Sequence, residues 1–490
     1  MTALAPPAAR TTPGIAGRAT ALVTVAFAVA ALSLLRPYAL AFDPLAWAVW
    51  GREIGHFALD TSSGPSWKPF PVLFTTPFAL IGGSAVPALW LVVARAGGLL
   101  ALAGAFALAD RLAGRWAGVA AAGVTALSPW WAYNTALGNS EGLLAAAVTW
   151  AIVAHLNGRV RAALALAAAA ALMRPETWPF LIAYGVWLWR RELVPRGFIV
   201  GVGVLVPLLW LGPDLVGAGG ALDASKTARG IPSPGSAKLA THPLFALLGD
   251  TATLFTVPAL VAAVAAVWFG GRVTRWLAAG VAAWVAIVAA MTAAGYAGNP
   301  RYLVAAAAVG AALAGAGAVW TAQRAAAWWT TRGGFAAPAG ASHDDGSPRR
   351  AAARPRGFAA PAGALLLVLA VLAVTAGDLR SQGRELDARA AAAAEFDAVI
   401  ARAGGKAALE RCARIRTSTR ARSLVAWRFD LPLRDLDARP VRPAVVLRAQ
   451  WFYGQGLEPR LEPGYRVLAP GRYWQVAAAC GAAPQVSSPR

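Results

Sequence analysis

Charge is scarce in this chain: only 14% of its 490 residues are Asp, Glu, Lys or Arg. A soluble globular protein carries roughly a quarter, so that class is excluded. Hydrophobic residues make up 58% and come in runs of about 20, the length that crosses a hydrocarbon core. Also missing are a Walker A loop, a Rossmann glycine fingerprint and a nucleophile elbow, which argues against a nucleotide-driven pump. Histidine is rare, and His56 and His242 have no partners at metal-ligand spacing. A divalent metal is therefore unsupported, and no cofactor is predicted.

What charge there is leans basic, at a formal +22. The basic residues are spread over short loops and the C-terminal region, with no compact patch interleaved with aromatics, so no nucleic-acid partner is expected. The excess follows instead from loop charges that set membrane topology. Heavy use of Ala, Arg, Gly and Pro has the look of a GC-rich bacterial genome. The expected location is a bacterial plasma (inner) membrane.

Reading apolar runs against Arg and Lys predicts an all-α polytopic membrane protein with about eleven spans. They fall near 19–36, 87–109, 116–133, 142–156, 162–173, 177–189, 197–213, 251–269, 276–294, 303–322 and 358–377. The basic N-terminus is then cytoplasmic. The run 19–35 could pass for a signal peptide, with Ala39–Ala41 as a cleavage site, but an uncleaved first span is the expectation. Residues 1–322 form the membrane region. A disordered cytoplasmic linker is expected over 323–357, and eleven spans place the C-terminus outside.

The last segment, 378–490, changes character. A helical Ala-rich stretch precedes short mixed runs such as SLVAWRFDLP and YRVLAPGRYWQVA, which predict a small external α/β domain. Both cysteines of the chain, Cys412 and Cys480, lie in it. A disulfide is one reading of that pair; two buried thiols is the other.

The polar interruption between the first two spans, 37–83, is the natural place to look for chemistry. It contains FDPLAWAVWGRE and then SWKPFPVLFTTPFALIGG. Two interfacial helices are predicted within it, near 43–57 and 69–82. Asp43 opens the loop and Lys68 precedes a proline. Glu141, the Arg174/Glu176 pair and Arg301–Tyr302 lie at the ends of later spans, and this topology puts all of them on one membrane face. A carboxylate can serve as general base, while Arg and Lys hold a departing phosphate. One base without a nucleophilic partner suits single displacement with inversion. Each residue also has a structural reading: Asp43 as a helix cap, Glu141 as a dipole partner, Arg174 and Glu176 as a mutual pair, Lys68 as an interface anchor and Arg301 as a span-end charge.

In order and topology these features resemble the GT-C superfamily of polyprenyl-phosphate-dependent membrane glycosyltransferases. The branch is the one that holds protein O-mannosyltransferases and aminoarabinose transferases. The likeness rests on Asp43 opening the first external loop, Lys68-Pro69 before the second interfacial helix, Glu141 at a span start and Arg301-Tyr302-Leu303 at a late one. It implies inverting transfer from a polyprenyl-phosphate sugar, on the external face, to a glycan, lipid or protein acceptor. With the charge pattern above, the site is read as Asp43 and Glu141 catalytic, Lys68, Arg174, Arg301 and Tyr302 phosphate-binding, and Glu176 supporting. The chain departs from the family in carrying Trp67 where relatives often have an acidic residue, and Pro44 after Asp43 rather than Glu. Both departures count against a metal. A transporter or flippase is the main alternative, for which internal repeats and midplane charges are expected; neither is apparent. A third reading is a non-catalytic assembly protein.

Overall fold

The structure is a computed structural model that describes residues 15–230, 235–331, 354–436, 439, 441–450 and 456–480. Eighteen helices and four strands follow one another in these residues. The first stretch holds α1 (Ile15–Leu32), α2 (Phe42–Gly55), α3 (Pro69–Gly82), α4 (Val86–Ala113), α5 (Arg115–Ala126) and α6 (Pro129–Ala136). Then come α7 (Glu141–Leu156), α8 (Val160–Ala171), α9 (Trp178–Arg190), α10 (Arg196–Gly217) and α11 (Asp223–Arg229). The membrane part closes with α12 (Pro243–Phe255), α13 (Val257–Phe269), α14 (Arg272–Ala293) and α15 (Val304–Thr331).

Small residues let the central helices meet closely, the usual device where lipid removes the hydrophobic drive between helices. α15 runs against α5 and α13 through Gly315 and Gly317. A Cβ on Gly317 would lie 1.8 Å from the Ala262 carbonyl oxygen, so no other residue fits without moving a helix. α1 is peripheral and touches α4 through Ala26, Ala30 and Ala96.

The expected spans are largely helical, but the one at 116–133 breaks at Leu127–Ser128 between α5 and α6, and the helices differ in length. Among the described residues, six helices are long and apolar enough to cross a membrane, or up to eight if each of two bent pairs is one span. α5, α8 and α9 have 12, 12 and 13 residues, about 18–20 Å each, short of a core of about 30 Å. The expected span 251–269 is a broken one, since α12 and α13 meet at 86° with Thr256 at φ 61° making the corner. α3 and α4 form one apolar stretch of 45 residues, about 68 Å if straight, so it cannot all lie in a single crossing. α3 packs instead along α2: the Thr75 hydroxyl donates to the Trp47 carbonyl at 2.7 Å.

Two boundaries differ from expectation. Residues 323–331 and 354–357, read as linker, are helical; the rest of that linker, 332–353, lies outside the described residues. The last span and the first helix of the C-terminal domain are one helix, α16 (Arg354–Arg402), of 49 residues. Gly377 and Gly383 fall inside it, but the Ala-rich sequence after Gly383 has neither proline nor glycine and carries the helix on to Arg402.

Beyond α16 come α17 (Lys406–Cys412), β1 (Arg414–Thr417), α18 (Arg422–Phe429), β2 (Ala444–Ala449), β3 (Arg466–Ala469) and β4 (Trp474–Ala479). The sheet order is β1-β2-β4-β3. β1 and β2 are parallel, with Ile415 opposite Val445, and α18 makes the crossover they require. β4 is antiparallel to both of its neighbours. α16 covers the sheet, its Phe396 ring edge-on to Trp474 at 4.7 Å. Cys412 and Cys480 are bonded to each other, joining the end of α17 to the residue after β4.

This α/β unit sits on α2. Arg52 pairs with Asp430 at 2.9 Å, Arg434 with Asp60, and Arg422 donates to the Ser63 hydroxyl at 2.6 Å. Leu433 fills the space beside Gly64, which holds φ +111°.

Candidate active site

Asp43 lies in the first turn of α2, but its carboxylate does not cap that helix. It turns inward to Arg301 Nη1 at 3.1 Å and Lys68 Nζ at 3.5 Å. Pro69 starts α3 and leaves Lys68 as the extended residue before it. The Phe70 N–H donates to the Leu172 carbonyl at 3.2 Å, fixing this end of α3 against α8. The Lys68 ammonium also stands 5.2 Å from the Trp47 ring centre.

Arg174 is the extended residue before a 3-10 turn, Pro175–Thr177. Its guanidinium bonds the Glu141 carboxylate, reaches Glu176 at 3.8 Å, and covers the Tyr302 ring at 4.3 Å. Arg301 sits in the turn Pro300–Leu303, where the Asn299 side chain accepts from its backbone N–H at 3.2 Å. It lies between the two carboxylates, with Nε 3.9 Å from Glu141. The seven residues singled out in the sequence thus form one connected cluster, drawn from five separate parts of the chain. None of the structural readings describes its residue in full.

The cluster has three carboxylates and three cations, so its formal charges balance. Asp43, Lys68, Glu141, Arg174 and Glu176 are all buried; Arg301 keeps 24% of its side chain exposed. Burial raises the Asp43 pKa, and Arg301, Lys68 and Arg174 more than offset this, holding the carboxyl below its ordinary range. Burial, aided by the charge of Arg174, pulls Lys68 down to about 8 although Asp43 opposes this. Several polar atoms in the cluster have no hydrogen-bond partner among the described residues: Lys68 Nζ, Glu141 Oε2, Arg174 Nε, Glu176 Oε2 and Arg301 Nε. Buried polar atoms are rarely left so, and here they converge on one place.

Sequence reasoning missed three neighbours. Asn139 and Ser140 precede Glu141 and are buried, with Asn139 Oδ1 and Ser140 Oγ also unpartnered among the described residues. Trp47, beneath Lys68, is fully buried. The GNSE run signalled the first two, but uncharged side chains do not stand out from an apolar background as ions do. Among the described residues no group of three His, Cys, Asp or Glu could hold a metal.

An apolar groove of about 450 Å3 lies between α7, α8, α9, α14 and α15; none of the seven cluster residues lines it, but Thr177, next to Glu176, is in its wall. Its near end is walled by Thr177, Trp284 and Ala306, its far end by His155 and Leu156. The Thr177 hydroxyl donates to the Arg174 carbonyl at 2.7 Å, and the Trp284 indole to the Tyr302 carbonyl at 2.9 Å. The groove wall is therefore hydrogen-bonded to the backbone of two cluster residues.

No protein-family model matches the sequence, and no curated protein does. Solved structures do. Crystal structures of ArnT from Cupriavidus metallidurans superpose with a TM-score of 0.56 in the apo state and 0.52 when bound to undecaprenyl phosphate, both at 16% identity. They cover 94% and 97% of this chain, and 98% and 100% of ArnT. The arabinosyltransferase EmbB from Mycobacterium smegmatis matches over 47% of its own length at 17% identity, with a TM-score of 0.39, too low to mark a shared fold. At that identity the likeness is one of fold: the chain shares the mostly helical, polytopic fold of ArnT.

Proposed function

We propose that this protein transfers a sugar from a polyprenyl-phosphate donor to a cell-envelope acceptor, a glycan, lipid or protein, on the external face of the membrane, with inversion. The observation that carries this reading is the junction of a buried ionic cluster with an apolar groove. A lipid phosphate needs both: donors for its oxygens and an apolar bed for its chain. ArnT, which has the same fold, is known bound to undecaprenyl phosphate.

In the reaction the acceptor hydroxyl attacks the anomeric carbon, and the bond from that carbon to the phosphate oxygen breaks. The polyprenyl phosphate leaves with the electron pair, and the acceptor's proton passes to Asp43. Lys68, Arg174 and Arg301, with Tyr302 behind Arg174, hold the phosphate. Glu141 and Glu176 orient Arg174. In the free protein Lys68 and Arg301 keep Asp43 ionised and only weakly basic. A phosphate that draws both cations toward itself weakens that hold, and the basicity of Asp43 rises only once donor is bound. Residues 1–322 form the catalytic region in this reading, and 378–490 an external domain seated on its first loop. Ions gathered at one end of the helices suit this chemistry better than transport across the midplane.

The test is Asp43→Asn in a membrane assay that follows release of polyprenyl phosphate. Transfer should fall by about 10²–10⁴-fold while the protein inserts and purifies normally. Near-normal turnover in that variant overturns the assignment.

A further inference from the structure

A second cavity, of about 870 Å3, is lined by none of the cluster residues. It opens between the end of α1, the start of α4, the far half of α16 and the α/β unit. Leu34, Leu35, Leu45 and Pro87 give it an apolar side. Four arginines also line it: Arg36 after α1, Arg389 on α16, Arg428 on α18 and Arg472 before β4. The lining includes one carboxylate, Glu385, which pairs with Arg389 at 2.8 Å. Arg428 pairs with Asp397 at 3.1 Å. Arg36 and Arg472 are exposed, and neither makes an ion pair among the described residues. The nearby Glu395 is turned to the backbone, accepting the N–H groups of Arg472, Tyr473 and Trp474.

We propose that this cavity binds the headgroup of an anionic glycerophospholipid from the surrounding leaflet. Charge complementarity supplies the first argument: two unpaired guanidiniums beside two paired ones suit a phosphate, which Arg grips bidentately. Position supplies the second. The apolar wall is built from the turn after α1, Leu45 of α2 and the start of α4; α1 and α4 are both apolar enough to cross the membrane, so a lipid beside them reaches the arginines without leaving its leaflet. Tyr38 and Tyr473 also line the cavity, and tyrosine favours headgroup depth. The volume is far more than a phosphate ion requires and lies within the range of sites for larger ligands. This site is separate from the donor site and does not depend on the transfer reaction.

The test uses the full chain in a neutral detergent, titrated with short-chain phosphatidylglycerol, phosphatidylcholine or inorganic phosphate and read by native mass spectrometry. Phosphatidylglycerol should bind saturably, and phosphatidylcholine at least tenfold more weakly. Millimolar phosphate should not displace the lipid; if it does, the site is for a free anion and the lipid assignment fails. The double variant R36Q/R472Q should weaken phosphatidylglycerol by about tenfold or more, as expected for two charges near a membrane surface. Ala393→Trp, which fills the cavity without touching charge, should also block it. Lys68→Gln, in the ionic cluster, should leave it unchanged. Wild-type affinity in both cavity variants, or loss of binding in Lys68→Gln, overturns the proposal.

Discussion

Two sets of ion pairs hold the first loop, and they sit in opposite surroundings. Asp43 and Lys68 pair deep among helices, with side chains 11% and 8% exposed. At the other end of α2, Arg52 meets Asp430, whose side chain is 70% exposed, and Lys406 shares that carboxylate at 2.9 Å. The groups are the same, but their worth is not. An exposed pair contributes about 0–1 kcal/mol. A buried pair loses hydration that its attraction barely returns, yet removing one partner costs about 3–5 kcal/mol, because the other is stranded. Apolar side chains of similar volume would hold α2 and α7 together at least as well. A buried ionic cluster with unfilled hydrogen-bond capacity is therefore better explained by what it binds than by what it stabilises.

The sharpest way to break this comparison is Glu141→Leu. It strands Arg174 beside Glu176 alone, and stability should drop by about 3–5 kcal/mol, read as a fall in Tm in detergent. Adding Arg174→Met should restore most of the stability while transfer stays lost. Recovery of transfer along with stability would make the pair structural only.

Next in size is a pH effect at Lys68. With its pKa pulled down to about 8, the ammonium loses its proton as pH rises through 8, and kcat/KM should fall there. Lys68→Arg should carry charge past that pH and move the alkaline limb upward. An unmoved limb would mean that Lys68 does not hold the phosphate.

Glu53 offers a smaller effect at the interface with the α/β unit. Burial pushes its carboxyl up to about 7, against the Asp60 N–H that donates to it at 3.1 Å. Its folded pKa exceeds its unfolded value of about 4.3, so the folded state binds more protons between them. Stability should therefore decline as pH rises from about 4.5 to 7. Glu53→Gln should flatten that slope in Tm against pH.

The smallest expected effect is Asp430→Asn, which removes the charge of both exposed pairs at once and keeps a residue that tolerates the left-handed backbone there. It should change stability by no more than about 1 kcal/mol and leave transfer unaltered. A large loss would show that the exposed pairs, and not the apolar contact around Leu433, seat the α/β unit.

The site was legible in the sequence for a specific physical reason. Ions are expensive in hydrocarbon, so Asp43, Lys68, Glu141, Arg174 and Arg301 stood out against apolar runs and could be assigned to one face by topology alone. Asn139, Ser140 and Trp47 cost little at that depth and gave no such signal. Helix lengths were harder. Hydropathy marks where a chain is apolar and not how far each helix runs: α5 and α8 stop after 12 residues and α9 after 13. α16 shows the reverse: composition changes at residue 378, and an alanine-rich helix runs straight through the change.

Composition and the order of charges thus determined on their own that this is a helical membrane protein with its ions at helix ends, because lipid penalises every other arrangement. Distances lay beyond them. Only the tertiary structure decided that Arg301 stands between Asp43 and Glu141, that an apolar groove adjoins them, and that the C-terminal unit rests on α2. Those contacts join residues hundreds of positions apart, and only the packing of helices and sheet unit brings such distant residues together.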